Sequence, residues 1–295
     1  MSVAPEELRE FEEQRPRLFA LGYRLLGSAS EAEDAVQDTF LRWSTADRAG
    51  IRTPAAWLTK VLTNLCLTRL TSARARRERY VGPWLPEPVD TADSALGPLD
   101  TAEQRETVSM AFLVLLERLT PPERAVFVLR EAFGYSHGEI AAILELTESH
   151  CRQLYRRARL HVTDGRPRFT PSREDRFRIT QRFLNAARGG DAAALRDLLA
   201  TDVVSWADGG GKATAARKPV RGLDRVVQYL GWMSRDVPGL RILTTELNGQ
   251  PGLVAFAGGT VLLVVALDIV DGRIAALRIV LNPDKLGFLT TQLAG

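Results

Sequence analysis

Residues 119–159 read LTPPERAVFVLREAFGYSHGEIAAILELTESHCRQLYRRAR, and this stretch decides how the rest of the chain is understood. Thr120-Pro121-Pro122-Glu123 combines a capping box with proline at the first helical position, so a helix is predicted through Val126, Phe127 and Leu129. A turn follows at Gly134-Tyr135. Ser136-His137-Gly138-Glu139 is a second capping box and opens a short helix carrying Ile140, Ile143 and Leu144. After a tight turn at Leu146-Thr147, a last helix runs from Glu148 to Val162. Its Cys151, Leu154, Tyr155 and Ala158 fall at i, i+3, i+4 and i+7 and face inward. Ser149, Arg152, Gln153, Arg156 and Arg157 are left facing outward. Two short helices, a tight turn and an Arg/Gln-bearing second helix make a helix-turn-helix, whose recognition helix enters the DNA major groove. Near the start of that helix Arg152 suits guanine and Gln153 adenine, and Arg156 and Arg157 suit phosphate. The competing reading is a basic helix on a helical bundle. His150 and His161 need no metal.

Upstream the chain is helical to about Arg79. Ser30-Glu31-Ala32-Glu33 reads as a capping box, and Ala32, Ala35, Val36, Phe40 and Trp43 share one face of the helix it opens. The opposite face carries Glu31, Glu33, Asp34, Gln37 and Asp38 with no base among them. It is either a solvated face or a docking face for a basic partner. Thr53-Pro54 starts the next helix. Leu58, Val61, Leu62 and Leu65 form its buried stripe, and Thr59, Lys60, Thr63 and Asn64 lie on the other side. Arg69, Arg74, Arg76, Arg77 and Arg79 then crowd together against Glu78 alone. That density suits phosphate, and the alternative is cations at a helix end favoured by the dipole. Tyr80 to Thr101, with Pro83, Pro86, Pro88 and Pro98, reads as a stiff linker in which Trp84 is an aromatic anchor.

Bulk properties bound the answer. A chain of 295 residues, 45% apolar and 25% charged, implies two or three globular domains. The net charge of +3 says little about a DNA partner, so local charge decides. Two cysteines, Cys66 and Cys151, sit in apolar helical stretches without a Cys-x-x-Cys pair, which excludes a disulfide framework and argues against a metal site. Residues Met1 to Arg15 hold no apolar core of a signal peptide, and Val261 to Leu267 is too short an apolar run to span a bilayer. The expectation is a cytoplasmic protein without cofactor.

From Ser172 the pattern changes. Helices are expected after Ser172 and Asp191 and over Gly222 to Met233. Strands are expected at Val203 to Trp206, Leu240 to Leu247, Leu253 to Phe256, Thr260 to Val270 and Arg273 to Leu281. Asn248-Gly249 and Asp271-Gly272 are hairpin signals. Helices followed by antiparallel strands predict an α+β domain. This block has no histidine. Asp202 and Asp208 are its nearest acid-base candidates, with Lys212 the only evident partner.

These residues together carry a resemblance. Asp34-Ala35-Val36-Gln37-Asp38-Thr39-Phe40 resembles the polymerase-binding helix of sigma-70-type region 2. Ala56-Trp57-Leu58 to Arg69 resembles its helix that reads the −10 promoter element, and residues 119–159 resemble region 4, which reads the −35 element. Order and spacing are similar to the extracytoplasmic-function sigma factors over about the first 160 residues. Trp84-Leu-Pro-Glu-Pro88, Asp208-Gly-Gly-Gly-Lys212 and Asn282-Pro-Asp-Lys-Leu286 are similar to motifs of the sigma-J-like group, which carries a fused SnoaL-like domain in place of a separate anti-sigma factor.

The resemblance implies a multi-domain fold: two all-α sigma domains (a region 2 helical bundle and a region 4 helix-turn-helix) followed by an α+β SnoaL-like cone. The expected boundaries are 1–80, a linker at 81–102, 103–165 and 172–295. It implies core RNA polymerase and promoter DNA as partners, with no membrane and no obligate dimer. Glu33, Asp34, Gln37, Asp38 and Phe40 fall to polymerase, and Lys60, Asn64, Arg69, Ser149, Arg152, Gln153, Arg156 and Arg157 to DNA. Trp84, Pro86, Asp208, Lys212, Asn282, Asp284 and Lys285 fall to regulatory contacts. Extended at ~3.3 Å per residue, the linker spans at most roughly 70 Å, similar to two DNA turns of ~34 Å, so one chain reaches both elements. Two other readings stay open: a DNA-binding regulator independent of polymerase, and a SnoaL-type enzyme or sensor of an unknown small ligand fused to a DNA-binding module.

Overall fold

The computed structural model describes residues 5–47, 50–77, 79–92, 96, 102–163, 172–233 and 239–294, and of residues 5–7, 73–76, 102, 103 and 163 only the backbone. Arg74 and Arg76, most of the linker beyond Ala92 and the break at Gly165 to Pro171 therefore lie outside the described side chains. The chain divides into two compact units. One comprises Met1–Glu78, Ser94–Val108 and Phe112–Gly165, and the other Arg79–Asp93, Ser109–Ala111 and Arg166–Gly295.

The first unit is helical. Helices α1 (Pro5–Leu26), α2 (Ala29–Thr45) and α3 (Pro54–Arg77) pack on one another as a bundle. Tyr23, Leu25, Leu26, Trp43, Leu58 and Leu62 are buried at its centre, each apolar side chain contributing roughly 1.5–3 kcal/mol by leaving water. Phe11 meets Phe40 at 4.9 Å and Trp43 meets Trp57 at 5.5 Å between ring centroids. The cap of α2 differs from expectation. Ser28, not Ser30, accepts the Glu31 N–H at 3.1 Å, because Ala29 and Ala32 are fully buried and hold the helix one turn-fraction earlier.

Helices α4 (Ala102–Glu106), α5 (Met110–Leu116), α6 (Pro121–Glu131), α7 (His137–Leu144) and α8 (Glu148–Thr163) follow. Both expected capping boxes form. The Glu123 carboxylate accepts the Thr120 N–H at 2.9 Å, and Ser136 and Glu139 exchange bonds at 3.2 and 2.7 Å. Cys151, Leu154 and Ala158 are buried and Tyr155 half-buried, so α8 presents the expected inner face. The two sets of helices are not held apart as separate modules. α6 packs on α1 and α3, and α7 on α3.

The second unit is α+β. α9 (Arg173–Gly189), α10 (Ala192–Leu198) and α11 (Leu223–Met233) lie with a six-stranded sheet made of β1 (Leu199–Asp208), β2 (Val220–Arg221), β3 (Arg241–Leu247), β4 (Gln250–Ala257), β5 (Thr260–Val270) and β6 (Arg273–Val280). A short 3-10 turn (Pro283–Lys285) and α12 (Gly287–Ala294) end the chain. The order is β2-β1-β6-β5-β4-β3. Asn248, Gly249, Asp271 and Gly272 all have positive φ, as two-residue hairpin turns require. The sheet is not wholly antiparallel, because β1 pairs with β6 in parallel. The chain leaves β1, crosses through α11 and returns only after three further strands, which is the long connection a parallel pair needs. Register irregularities at Ala255/Phe256 and Asp268/Ile269 curve the sheet. α9 and α11 pack against the sheet, with Phe183, Leu184, Val226 and Leu230 in the shared core.

Candidate functional site

Two constellations of polar groups stand out, one in each unit. In the helical unit Ser149, Arg152, Gln153, Arg156 and Arg157 are all exposed on α8. Arg152 pairs with Glu148 one turn earlier. The turn before α8 is held by Glu145, a non-glycine residue at φ 56, whose carboxylate meets Lys60 of α3 at 2.9 Å. Lys60 holds the Glu145 carboxyl below its usual range by hydrogen bond and charge. Beside this contact Thr59 and Tyr135 share a hydrogen bond at 3.3 Å, and Arg17 donates to the Tyr135 hydroxyl at 3.0 Å. Lys60, expected to face DNA, is thus engaged by the helix-turn-helix, while Asn64 is exposed.

Deeper in the same contact, Glu117 receives both Arg77 and Arg124, and Arg124 also donates to the Arg24 carbonyl at 3.3 Å. Burial pulls the Arg124 guanidinium down to about 9 and that of Arg24 to about 10, so both remain charged at neutral pH. Arg77 is therefore turned inward and does not extend a phosphate-binding end. Arg69 is likewise drawn to the α2 side. It donates to Asp38 at 2.6 Å and to the Glu31 carbonyl at 2.9 Å, and does not join Lys60 and Asn64. On α2, Asp34 and Gln37 are exposed. Glu33 pairs with Arg15 at 3.1 Å, and Phe40 is half-buried against Phe11.

In the α+β unit the centre is Asp208, fully buried at the end of β1. Its carboxylate accepts the Tyr80 hydroxyl at 2.5 Å, the Leu85 N–H at 2.8 Å and the Lys285 ammonium at 2.7 Å. Lys285 also donates to the Leu85 carbonyl at 2.5 Å and lies 4.8 and 4.2 Å from the ring centroids of Tyr80 and Trp84. Asn282 donates to the Tyr80 hydroxyl at 2.8 Å. Burial, then the bond to Asp208, raises the Tyr80 phenol well above its ordinary value. Residues 85–91 are all buried, Pro86 among them. Val89 and Asn248 exchange bonds at 3.2 and 3.0 Å, the Asp90 N–H donates to Gln292 at 3.0 Å, and the Thr91 N–H donates to the Glu246 carbonyl at 2.8 Å. Residues 80–91 form a strap bolted along this unit.

The glycine run after Asp208 is explained by the same contacts. Gly210 has φ +56, and a Cβ there would meet the Asn282 amide at 2.3 Å and the Tyr80 hydroxyl at 2.9 Å. Lys212 and Asp284 do not join the buried centre. They form an exposed pair at 2.5 Å. Trp84, Asp208, Asn282 and Lys285 are brought together as their motifs imply. Tyr80, Asn248, Thr91, Glu246 and Gln292 were missed, since Asn248-Gly249 reads only as a hairpin turn and a buried extended segment with polar residues has no periodic signal. Asp202 is exposed, and Asp208 is committed to the strap.

A region 2 bundle and a region 4 helix-turn-helix in one chain define a sigma-70-type initiation factor. The sigma-70 region 2 model matches residues 11–76, and the sigma-70 region 4 model matches residues 109–162. The chain is 38% identical to the ECF RNA polymerase sigma factor SigJ of Mycobacterium tuberculosis, covering 95% of this chain and 93% of that protein. It is 33% identical to SigI of the same organism, described as a probable ECF RNA polymerase sigma factor, covering 95% of each. The crystal structure of M. tuberculosis SigJ superimposes with a TM-score of 0.75 at 36% identity, covering 94% of this chain and 97% of that one. The chain belongs to the extracytoplasmic-function sigma factors of the sigma-70 family. As such it is an alternative sigma factor that directs RNA polymerase to promoters, with a SnoaL-like α+β domain at its C-terminus. Among the described residues no helix is long and apolar enough to cross a membrane, and no group of three metal-ligating side chains occurs.

Proposed function

We propose that α3 and α8 are the two promoter readers and that the α+β unit regulates them through the strap. In this reading Arg152, Gln153 and Ser149 read the −35 element in the major groove, and Arg156 and Arg157 hold phosphate. Lys60 and Asn64 serve the −10 element. Glu33, Asp34, Gln37, Asp38 and Phe40 belong to the polymerase face. Arg69 has to release Asp38 to touch DNA, so one ion pair ties the polymerase face to the −10 face.

The observation that carries this reading is the Lys60–Glu145 contact, which joins a residue of one reader to the turn that opens the other. Two elements about two DNA turns apart, ~68 Å, demand that this contact open. The packing of α7 on α3 is then a closed arrangement. Residues 80–91 connect α3 to α4, so a grip on them governs part of the spacing between readers. Regulation by Trp84, Pro86, Asp208, Asn282 and Lys285 follows from that grip, with Lys212–Asp284 as an exposed latch.

Catalysis is disfavoured because acid-base chemistry needs a free, positioned titratable group, and Asp208 already neutralises Lys285. In this reading the chain acts in the cytoplasm and needs neither a cofactor nor an obligate dimer. The test is promoter-specific run-off transcription with core polymerase, comparing the full chain with truncations after Val162 and after Lys212. Absence of a specific product from all three forms refutes the promoter reading. Equal activity of all three refutes the regulatory one.

A further inference from the structure

Residues 209–223 read GGGKATAARKPVRGL, with four cations and no acid. The whole chain nets only +3, so this one segment holds more positive charge than the molecule keeps overall. Lys212 is taken up by Asp284. Arg217 and Lys218 lead into β2, Arg221 ends that strand, and Arg225 follows in the first turn of α11. β2 is an outer strand of the sheet, paired only with β1. The side chains of Arg217, Lys218, Arg221 and Arg225 are all exposed, and among the described residues none of them has an ion-pair partner. Asp202, exposed on β1, pairs with none of them. Four other arginines of the unit each meet a carboxylate: Arg173 that of Glu246, Arg178 that of Asp175, Arg196 that of Asp224 and Arg278 that of Asp268. The first acid after the segment, Asp224, is thereby occupied by Arg196. Solubility alone favours interspersed signs, whereas a row of one sign is the footprint of a polyanion. Arg217 and Lys212 also line a recess of about 300 Å³, and apart from them no described lining side chain is larger than Val81. Gly211, exposed in that lining, lets an anion approach the main chain closely.

We propose that Arg217, Lys218, Arg221 and Arg225 make the α+β unit itself a DNA contact, a sequence-independent seat for the phosphate backbone of a duplex. The spacing fits. Arg217 to Arg221 spans at most ~13 Å at ~3.3 Å per residue, and over that length duplex DNA presents about eight phosphates, one charge per ~1.7 Å of axis. Four cations therefore find enough phosphates on the face they meet. They lie on a strand edge and at the start of a helix, not along a helix that could enter a groove, so they hold phosphate and read no base. The inference rests on the chain's membership of the sigma factors, which work on promoter DNA, and not on the roles proposed for α3 and α8.

The test is holoenzyme binding to a promoter duplex that extends well beyond both elements, titrated with the full chain at several salt concentrations. Arg217→Gln with Arg221→Gln should weaken binding about ten- to thirtyfold at about 0.15 M salt and lower the slope of log affinity against log salt by about two, at ~0.9 per phosphate contact. Preference for the promoter over a duplex with scrambled −35 and −10 elements should not change. Arg217→Lys with Arg221→Lys should restore the slope, since it keeps the charge. Arg182→Gln with Arg188→Gln removes equal charge from two exposed positions on α9 and should leave the slope at the parent value. If the first pair lowers the melting temperature, Lys218→Gln with Arg225→Gln replaces it. Repeating the titration with the full chain and a non-promoter duplex, without polymerase, should show the same fall in slope. An unchanged slope in either titration, or an equal fall in the α9 pair, overturns the proposal. So does a matching loss of assembly with core polymerase in the absence of DNA, which would make the segment a polymerase contact. A parent chain without promoter preference would instead count against the promoter reading, and the non-promoter titration would still decide this one.

Discussion

The recognition helix and the strap centre handle charge in opposite ways. On α8 the guanidinium groups of Arg152, Arg156 and Arg157 stay in water, Arg152 beside the exposed Glu148, where an ion costs little and an incoming phosphate or base edge can reach it. Around Asp208 the charge has been taken out of water. Its carboxylate meets three donors and its counterion Lys285 lies against two aromatic rings. Taking both ions from water costs several kcal/mol and is offset only by complete pairing. Exposed and incompletely satisfied charge marks a surface meant for a partner. Buried and fully satisfied charge marks a contact the molecule makes with itself. The strap is thus a built-in ligand of its own domain.

Removing one member of each cluster should expose the contrast, with the largest effect at the buried one. Asp208→Ala leaves the Lys285 ammonium without a counterion and the Tyr80 hydroxyl and Leu85 N–H without their acceptor. A loss of about 3–5 kcal/mol in unfolding free energy of the α+β unit is expected by chemical denaturation. Asp208→Ala with Lys285→Met should recover part of it, because the stranded charge is gone. A loss below ~1 kcal/mol would mean that the strap is not held as described. Gly210→Ala comes next. Its methyl group collides with Asn282 and Tyr80 in a left-handed backbone, and about 1–3 kcal/mol should be lost in the same assay.

At the exposed cluster the same kind of deletion should leave stability untouched and appear only with DNA present. Arg152→Ala and Gln153→Ala should each cost about 1–3 kcal/mol of discrimination at one −35 position, measured by holoenzyme binding to promoter variants. Arg156→Ala and Arg157→Ala should weaken all promoters alike and lower the slope of log affinity against log salt by about one each. Melting temperatures of these four variants should match the parent. A drop would mean that α8 is a structural helix and not a reading surface.

How much was legible in the sequence follows the same division. The helix-turn-helix announces itself, because capping boxes and the i, i+3, i+4, i+7 stripe of Cys151, Leu154, Tyr155 and Ala158 are local chemistry. The α2 cap misled because Ser28-Ala-Ser-Glu31 and Ser30-Glu-Ala-Glu33 both fit the box pattern, and burial of Ala29 and Ala32 decides between them. The parallel β1–β6 pair is set by partners about 70 residues apart, which no turn signal reports. The strap motif was visible as Trp84-Leu-Pro-Glu-Pro88. Its grip by Asn248 and Gln292 was not, because those partners lie about 160 and 200 residues away. Arg69 and Arg77 read as phosphate-binding cations for the same reason, since Asp38 and Glu117 reach them only through the fold.

A last test uses a buried group that can shed its charge. Cys66 is fully buried in α3, and burial pushes its thiol up to about 12. Burial outweighs the pull of the nearby Arg69 and Arg124, and the thiol avoids the cost of a buried charge by staying neutral. Cys66→Ala should therefore show no electrostatic effect at neutral pH, only a small cavity cost. The native thiol should resist iodoacetamide at pH 8 and react once the chain is unfolded, as mass spectrometry would show. The pH dependence has a definite sign. Above about 9 the unfolded thiol ionises while the folded one keeps its proton, so the folded state binds more protons and stability falls as pH rises towards 12. If the wild-type chain lost no more stability than Cys66→Ala between pH 8.5 and 10, the thiol would not be desolvated in solution. The rule that separates the two charge clusters would then fail at the group where it is simplest.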